Sequence, residues 1–108
     1  MLPELKENPT LTELQHYQHA MCEARGWNKS TELETFLLFT EEIGELAKAI
    51  RYRIALFTEK GTRLEEDELQ GEFADVLGYL LELANKFNIN LEEAFRRKEA
   101  INAKRDWN

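Results

Sequence analysis

The chain has 108 residues, of which 43% are hydrophobic and 32% are charged, and its formal net charge is −7. This length suits one domain with a modest core, and the composition is that of a globular protein. The acidic charge disfavours nucleic acid polymers and anionic membranes as partners, and the absence of a long apolar run or a signal-peptide pattern predicts a cytoplasmic protein.

Capping signals divide the chain into four predicted helices. A Thr or Asn followed three residues later by Glu is typical of a helix N-terminus. The pattern occurs at Thr10–Glu13, Thr31–Glu34, Thr62–Glu65 and Asn90–Glu93. After an extended lead-in over residues 1–9, the helices are expected to end near residues 25, 58, 87 and 105. No strand alternation is visible, so the sequence predicts an all-α four-helix bundle forming a single domain over residues 1–108.

The lone cysteine, Cys22, lies within the first predicted helix and forms no internal disulfide, which is typical of a reducing compartment. No base is placed near it by spacing, so we expect a packing residue rather than a nucleophile. His16 and His19 share the same helix, and an ordinary, partly exposed role is expected for both.

Two acid pairs carry the strongest chemical signal. Glu42 and Glu45 lie three residues apart in the second helix, and Glu72 and Asp75 lie three apart in the third. Residues at this spacing share one helix face, so adjacent helices could bring four carboxylates together. Such a cluster either takes up protons or gathers cations, and oxygen ligands favour Mg²⁺ before Ca²⁺ or Mn²⁺.

The position of these acids around their helices distinguishes a site from a scattered acidic surface. The spacing alone is weak evidence, because Glu4/Glu7 and Glu65/Glu68 also show it. However, both pairs lie beside an apolar stripe. The predicted core stripe is Phe36, Phe39, Ile43, Leu46, Ala47, Ile50, Ile54 and Phe57 in the second helix, and Leu69, Phe73, Val76, Leu77, Leu80, Leu83, Ala84 and Phe87 in the third. The acids share their flank with Leu38, Ala49, Tyr52 and Leu56 in the second helix and with Tyr79 in the third. Acids among apolar neighbours are uncommon, which favours a cation site.

The fourth helix places cations along its apolar face. Lys98, Asn102 and Arg105 are expected to project to the same side as Leu91 and Ile101. These donors either bind an anion or pair with acids on neighbouring helices. Trp27, which follows Gly26, either stacks on a base or packs against the protein.

Three segments together resemble the MazG-like nucleotide pyrophosphohydrolases of the all-α NTP pyrophosphohydrolase superfamily. The first segment, residues 41–50, begins with Glu41-Glu42-Ile43-Gly44-Glu45. The second, residues 72–80, begins with Glu72-Phe73-Ala74-Asp75, and the third is Asn90-Leu91-Glu92-Glu93-Ala94. The resemblance covers about residues 30–105 and includes Lys98, Asn102 and Arg105. Arg25-Gly26-Trp27 is similar to a family element near the base pocket.

The resemblance implies Mg²⁺-dependent hydrolysis of nucleoside or deoxynucleoside triphosphates to the monophosphate and pyrophosphate, serving nucleotide-pool house-cleaning, with Mn²⁺ as a substitute ion. It implies that Glu42, Glu45, Glu72 and Asp75 bind the metal. Glu41, Glu42 and Glu45 would be catalytic, and Trp27, Lys98, Asn102 and Arg105 would bind the substrate. It also implies a homodimer or a dimer of dimers. The alternatives are a phosphoribosyl-ATP pyrophosphohydrolase and a non-catalytic, metal-stabilised helical dimer that binds nucleotide.

Overall fold

The computed structural model describes residues 2–61 and 65–107, which form four helices and no strand. The helices are α1 (Leu11–Ala24), α2 (Glu32–Arg53), α3 (Glu66–Lys86) and α4 (Leu91–Asn102). The all-α prediction is therefore confirmed. The third predicted capping residue, Thr62, lies outside the described residues.

Side-chain caps fix the first residues of three helices, as predicted. Glu13 N donates to Thr10 Oγ1 at 3.1 Å, and Thr10 N donates back to Glu13 Oε1 at 2.9 Å. Thr31 and Glu34 form the same reciprocal pair at the start of α2. Asn90 Oδ1 accepts from Glu93 N at 2.9 Å and begins α4. These bonds satisfy backbone donors that have no partner within the helix.

Two predicted helix ends are wrong. Helix α2 ends at Arg53 rather than near Thr58, because Ala55 and Phe57 adopt left-handed backbone angles, with φ of 58° and 51°. Arg51 stabilises this ending, since its Nη1 donates to the carbonyl oxygens of Leu56 at 3.2 Å and Phe57 at 2.6 Å.

Helix α4 ends at Asn102 rather than near Arg105. The indole Nε1 of Trp107 donates to Asn102 O at 2.9 Å and so satisfies a carbonyl at the helix end. Arg105 therefore does not continue the helical face that holds Lys98 and Asn102.

The described residues fall into two compact units. The terminal unit contains the residues up to Lys29 and those from Leu81 onward, and the central unit spans Ser30–Leu80. Helix α3 contributes residues to both units. That residues 1–108 form one functional domain stays a prediction.

A buried amide network organises the terminal unit. Gln15 of α1 is buried, and its Nε2 donates to Asn85 Oδ1 at 3.0 Å and to Ile89 O at 2.6 Å. Its Oε1 accepts from the backbone N of Leu91 at 3.0 Å, and Asn85 Nδ2 donates to Gln15 O at 3.1 Å. One side chain thus joins α1 to the end of α3 and the start of α4.

The core of the terminal unit lies next to this network. Met21, Cys22, Leu81 and Ala84 are all buried there. Burial of the free thiol of Cys22 agrees with the packing role predicted for it. Burial, followed by the nearby carboxylate of Glu82, raises the pKa of that thiol to about 11.

The central unit contains α2 and the first part of α3, and its burial differs from the prediction. The side chains of the predicted core stripes include Phe36, Ile43 and Ile50 on α2 and Phe73, Leu77 and Leu80 on α3, and all six are exposed. We call these six residues the apolar stripes. By contrast Ala49, predicted on the flank with the acids, is buried at 5% exposure. The prediction that these six side chains form a core is therefore wrong. Periodicity identifies an apolar face of a helix but does not show whether the chain itself covers that face.

Candidate functional site

Helices α2 and α3 bring three of the four predicted acids together within the central unit. One carboxylate oxygen from each of Glu42, Glu72 and Asp75 lies within 4.8 Å of the other two. The capping box at Thr31 fixes where α2 begins, and the i,i+3 spacing turns Glu72 and Asp75 to one side of α3. We call these three residues the acid cluster.

The electrostatics of the acid cluster favour the uptake of positive charge. Partial burial raises the pKa of Glu42, and the negative charges of Asp75, Glu72, Glu41 and Glu45 raise it further. In addition, Glu72 Oε2 is buried and has no hydrogen-bond partner among the described residues. Burying a carboxylate oxygen without a partner is unfavourable, and a bound cation would remove both this cost and the mutual repulsion.

Glu45, the fourth predicted metal ligand, and Glu41, predicted to be catalytic, lie outside this cluster. Glu45 lines a cavity of about 470 Å³ to which Glu72 and Asp75 also contribute. Glu41 is exposed and precedes Glu42 directly, and its charge acts on the pKa of Glu42.

The cavity beside the cluster contains residues that the sequence analysis did not select. Its full lining is Glu45, Lys48, Ala49, Tyr52, Glu68, Gly71, Glu72 and Asp75. From the sequence Glu68 belongs to an accidental i,i+3 pair with Glu65, although it lies one turn before Glu72 on the same face of α3. Lys48 lies one turn after Glu45, and this spacing is the sequence signal that could have placed Lys48 on the same helix face as Glu45. Gly71 carries no side chain, and a Cβ built on it would meet no atom within 4 Å.

The predicted substrate-binding residues all belong to the terminal unit. Trp27 is 59% exposed, and the Arg25 guanidinium lies 4.9 Å from the centre of its ring. Lys98 is exposed and Asn102 is half-buried on α4, where their i,i+4 spacing places them on one face. Arg105 lies beyond the helix, with its guanidinium 5.7 Å from the ring centre of Trp107.

No helix in the part of the chain that the structure describes is both long and apolar enough to cross a membrane.

A family of known proteins matches most of this chain. The family model described as the MazG nucleotide pyrophosphohydrolase domain matches residues 30–106. The chain is also similar to "Uncharacterized protein YpjD" of Bacillus subtilis (strain 168), with 43% identity over 60 residues. That alignment covers 54% of this chain and 51% of the relative, so the chain spans about half the length of the relative that it matches.

Proposed function

The chain belongs to the MazG nucleotide pyrophosphohydrolase family, and we propose that it hydrolyses nucleoside or deoxynucleoside triphosphates to the monophosphate and pyrophosphate with Mg²⁺. The observation that carries this proposal is the acid cluster, whose carboxylate oxygens come within 4.8 Å of one another inside the matched residues. Such a hydrolase would remove unwanted nucleotides from the cellular pool.

The donor set fits a hard divalent cation. The acid cluster and Glu45 supply only oxygen ligands, which suit Mg²⁺ and also Mn²⁺. The unpartnered Glu72 Oε2 is a ligand position that the described residues leave unsatisfied. In this proposal Glu42, Glu45, Glu72 and Asp75 hold the ion. When bound, Mg²⁺ would neutralise phosphate oxygens and lower the pKa of a coordinated water.

The reacting water needs a proton acceptor from the protein. Glu45 lines the cavity but lies outside the acid cluster, and it is our candidate for that base. As the water oxygen forms a bond to the α-phosphorus, the bond from that phosphorus to the bridging oxygen breaks and pyrophosphate leaves. The proton passes to the Glu45 carboxylate, and Glu41 would position the reacting water.

The remaining predicted residues are proposed to bind the substrate. Lys98, Asn102 and Arg105 would donate hydrogen bonds to phosphate oxygens, and Trp27 would help to enclose the base. The exposed indole of Trp27 and the exposed ammonium of Lys98 are consistent with ligand contact.

The apolar stripes support a homodimer or a dimer of dimers. Six large side chains that follow the helical period are exposed to water in the single chain, and faces of this kind commonly bind another protein surface. The molar mass of the full chain, measured by light scattering, tests this proposal. We expect the wild-type protein to assemble and Ile43→Lys to weaken assembly, and a wild-type mass of one chain would contradict it.

Pyrophosphate release is the direct test of the activity. Each natural, oxidised and methylated nucleoside triphosphate is incubated with the protein in Mg²⁺, in Mn²⁺ and in EDTA. We expect turnover only with a divalent ion, loss of turnover in Asp75→Ala, and wild-type turnover in the exposed control Glu99→Gln, with circular dichroism confirming equal helicity.

Adding phosphoribosyl-ATP to the substrates and measuring nucleotide binding distinguishes the alternatives. Turnover of phosphoribosyl-ATP without turnover of any ordinary triphosphate would identify the related pyrophosphohydrolase. Nucleotide binding without release of pyrophosphate would identify a non-catalytic binding protein. Full activity in Asp75→Ala would contradict the proposed site.

A further inference from the structure

Lys48 is the one basic side chain among the described residues that line the cavity beside the acid cluster. Lys48 lines the same cavity as Glu45, Glu68, Glu72 and Asp75. Even so, no carboxylate oxygen of the described residues lies within 4.0 Å of Lys48 Nζ, the limit for an ion pair. The cavity is therefore lined by a cation that pairs with no acid in the described part of the chain.

An aromatic ring lies next to the Lys48 ammonium. The Nζ atom is 5.7 Å from the ring centre of Tyr52, which follows one turn later on α2 and lines the same cavity. At this distance the ring attracts a cation without taking any of its three hydrogen-bond donors. Tyr52 can therefore hold the ammonium at the cavity wall while its N–H groups remain available.

The neighbouring arginine is already engaged elsewhere. The Arg51 guanidinium also lies near the Tyr52 ring, at 4.9 Å, but its Nη1 donates to two carbonyl oxygens beyond the end of α2. Arg51 thus stabilises the fold, and Lys48 is the cation free to bind a ligand.

We propose that Lys48 binds the phosphate chain of the nucleotide, an inference that rests on the proposed function. A cavity lined by four carboxylates repels a polyphosphate, and a cation on the same wall offsets that repulsion. Lys48 follows Glu45 by three residues, or about 4.5 Å along the helix axis, so it can reach a phosphate chain held beside the acids. This donor lies in the central unit, as the acids do.

The test separates phosphate binding from metal binding in the full chain. Calorimetry measures the affinity for an α,β-methylene nucleoside triphosphate with Mg²⁺, and the affinity for Mg²⁺ alone. In Lys48→Ala we expect analogue binding to weaken about tenfold or more, the effect of losing a charge-assisted hydrogen bond. Binding of Mg²⁺ alone should be equal or tighter, because a positive charge near the acids has been removed.

Two further variants complete the test. Lys48→Arg keeps the charge and should retain most of the affinity for the analogue. Lys60→Ala removes an exposed lysine of the same unit that does not line the cavity, and should leave both affinities unchanged.

The possible results have distinct meanings. Unchanged analogue affinity in Lys48→Ala would overturn the assignment, as would a parallel loss of analogue and Mg²⁺ binding, which indicates a structural role. If the wild type binds the analogue in a Lys48-dependent way but releases no pyrophosphate, the role of Lys48 is supported and the proposed hydrolysis fails. A wild type that releases pyrophosphate at the same rate as Lys48→Ala would overturn the assignment of Lys48 and leave the proposed hydrolysis standing.

Discussion

Replacing Glu42 by Gln should stabilise the metal-free protein and remove most of its response to Mg²⁺. The Glu42 oxygen lies within 4.8 Å of an oxygen from each of Glu72 and Asp75. Two unit charges at that distance repel by about 1 kcal/mol in a water-like medium and by about 3 kcal/mol at an effective dielectric constant near 20. Because the site is partly open to screening by salt, we expect the loss of both repulsions in Glu42→Gln to raise the free energy of unfolding by about 1–2 kcal/mol.

Urea unfolding with and without Mg²⁺ measures both effects. In EDTA, Glu42→Gln should unfold at higher urea than the wild type, because its neutral amide is nearly isosteric with the carboxylate. In Mg²⁺ the wild type gains stability through ion binding, and the variant should gain less. Glu99→Gln, an exposed replacement on α4, is the matched control. If both variants shift unfolding equally in EDTA and respond equally to Mg²⁺, the reasoning about repulsion in the acid cluster is wrong.

Three further predictions concern groups outside the acid cluster. Gln15→Ala should lower the free energy of unfolding by about 2–4 kcal/mol, since it leaves buried partners unsatisfied, whereas exposed Gln70→Ala should change the urea midpoint little. Cys22 should resist alkylation at pH 8 until the protein is unfolded, because burial raises its pKa to about 11, and rapid labelling of the folded chain would contradict this. Hydrogen bonds first from Lys6 and then from Thr10 lower the pKa of Glu13 from 4.5 to about 2. The stabilisation that the ionised Glu13 carboxylate provides is therefore fully present above pH 4.5 and disappears as the pH falls towards 2. The melting temperatures of the wild type and Glu13→Gln should converge over that range.

Helix starts could be predicted from the sequence because the cap and its partner are three residues apart. Thr10 and Thr31 bond within their own first turn, so no distant residue decides the outcome. No comparable sequence pattern marks the end of α2. Ala55 and Phe57 adopt left-handed angles without being glycine, and the Arg51 side chain that stabilises them can be recognised only in the folded chain.

The faces of the helices were harder to assign than their positions. Ile43 and Ile50 follow the helical period of a core stripe, but they are exposed while Ala49 beside them is buried. An apolar stripe has the same sequence pattern whether its partner is another helix of the chain or a second molecule. For this reason, periodicity did not distinguish the two cases here.

The candidate site was predicted in part. Spacing on each helix was enough to select Glu42, Glu72 and Asp75, since each pair shares a face by helix geometry alone. Lys48 and Glu68 were missed because their common cavity depends on which turns of α2 and α3 lie opposite each other. That register is set by the folded central unit and has no counterpart in a single helix.

Gly71 shows how the width of the cavity could be adjusted. A glycine inside a helix costs about 1 kcal/mol relative to alanine, and here a Cβ would project into open space. Alanine at this position should therefore raise the melting temperature, and progressively larger side chains should reduce the volume of the cavity that Gly71 lines without disturbing the backbone. Position 71 thus offers a means of admitting small ligands while excluding bulky ones.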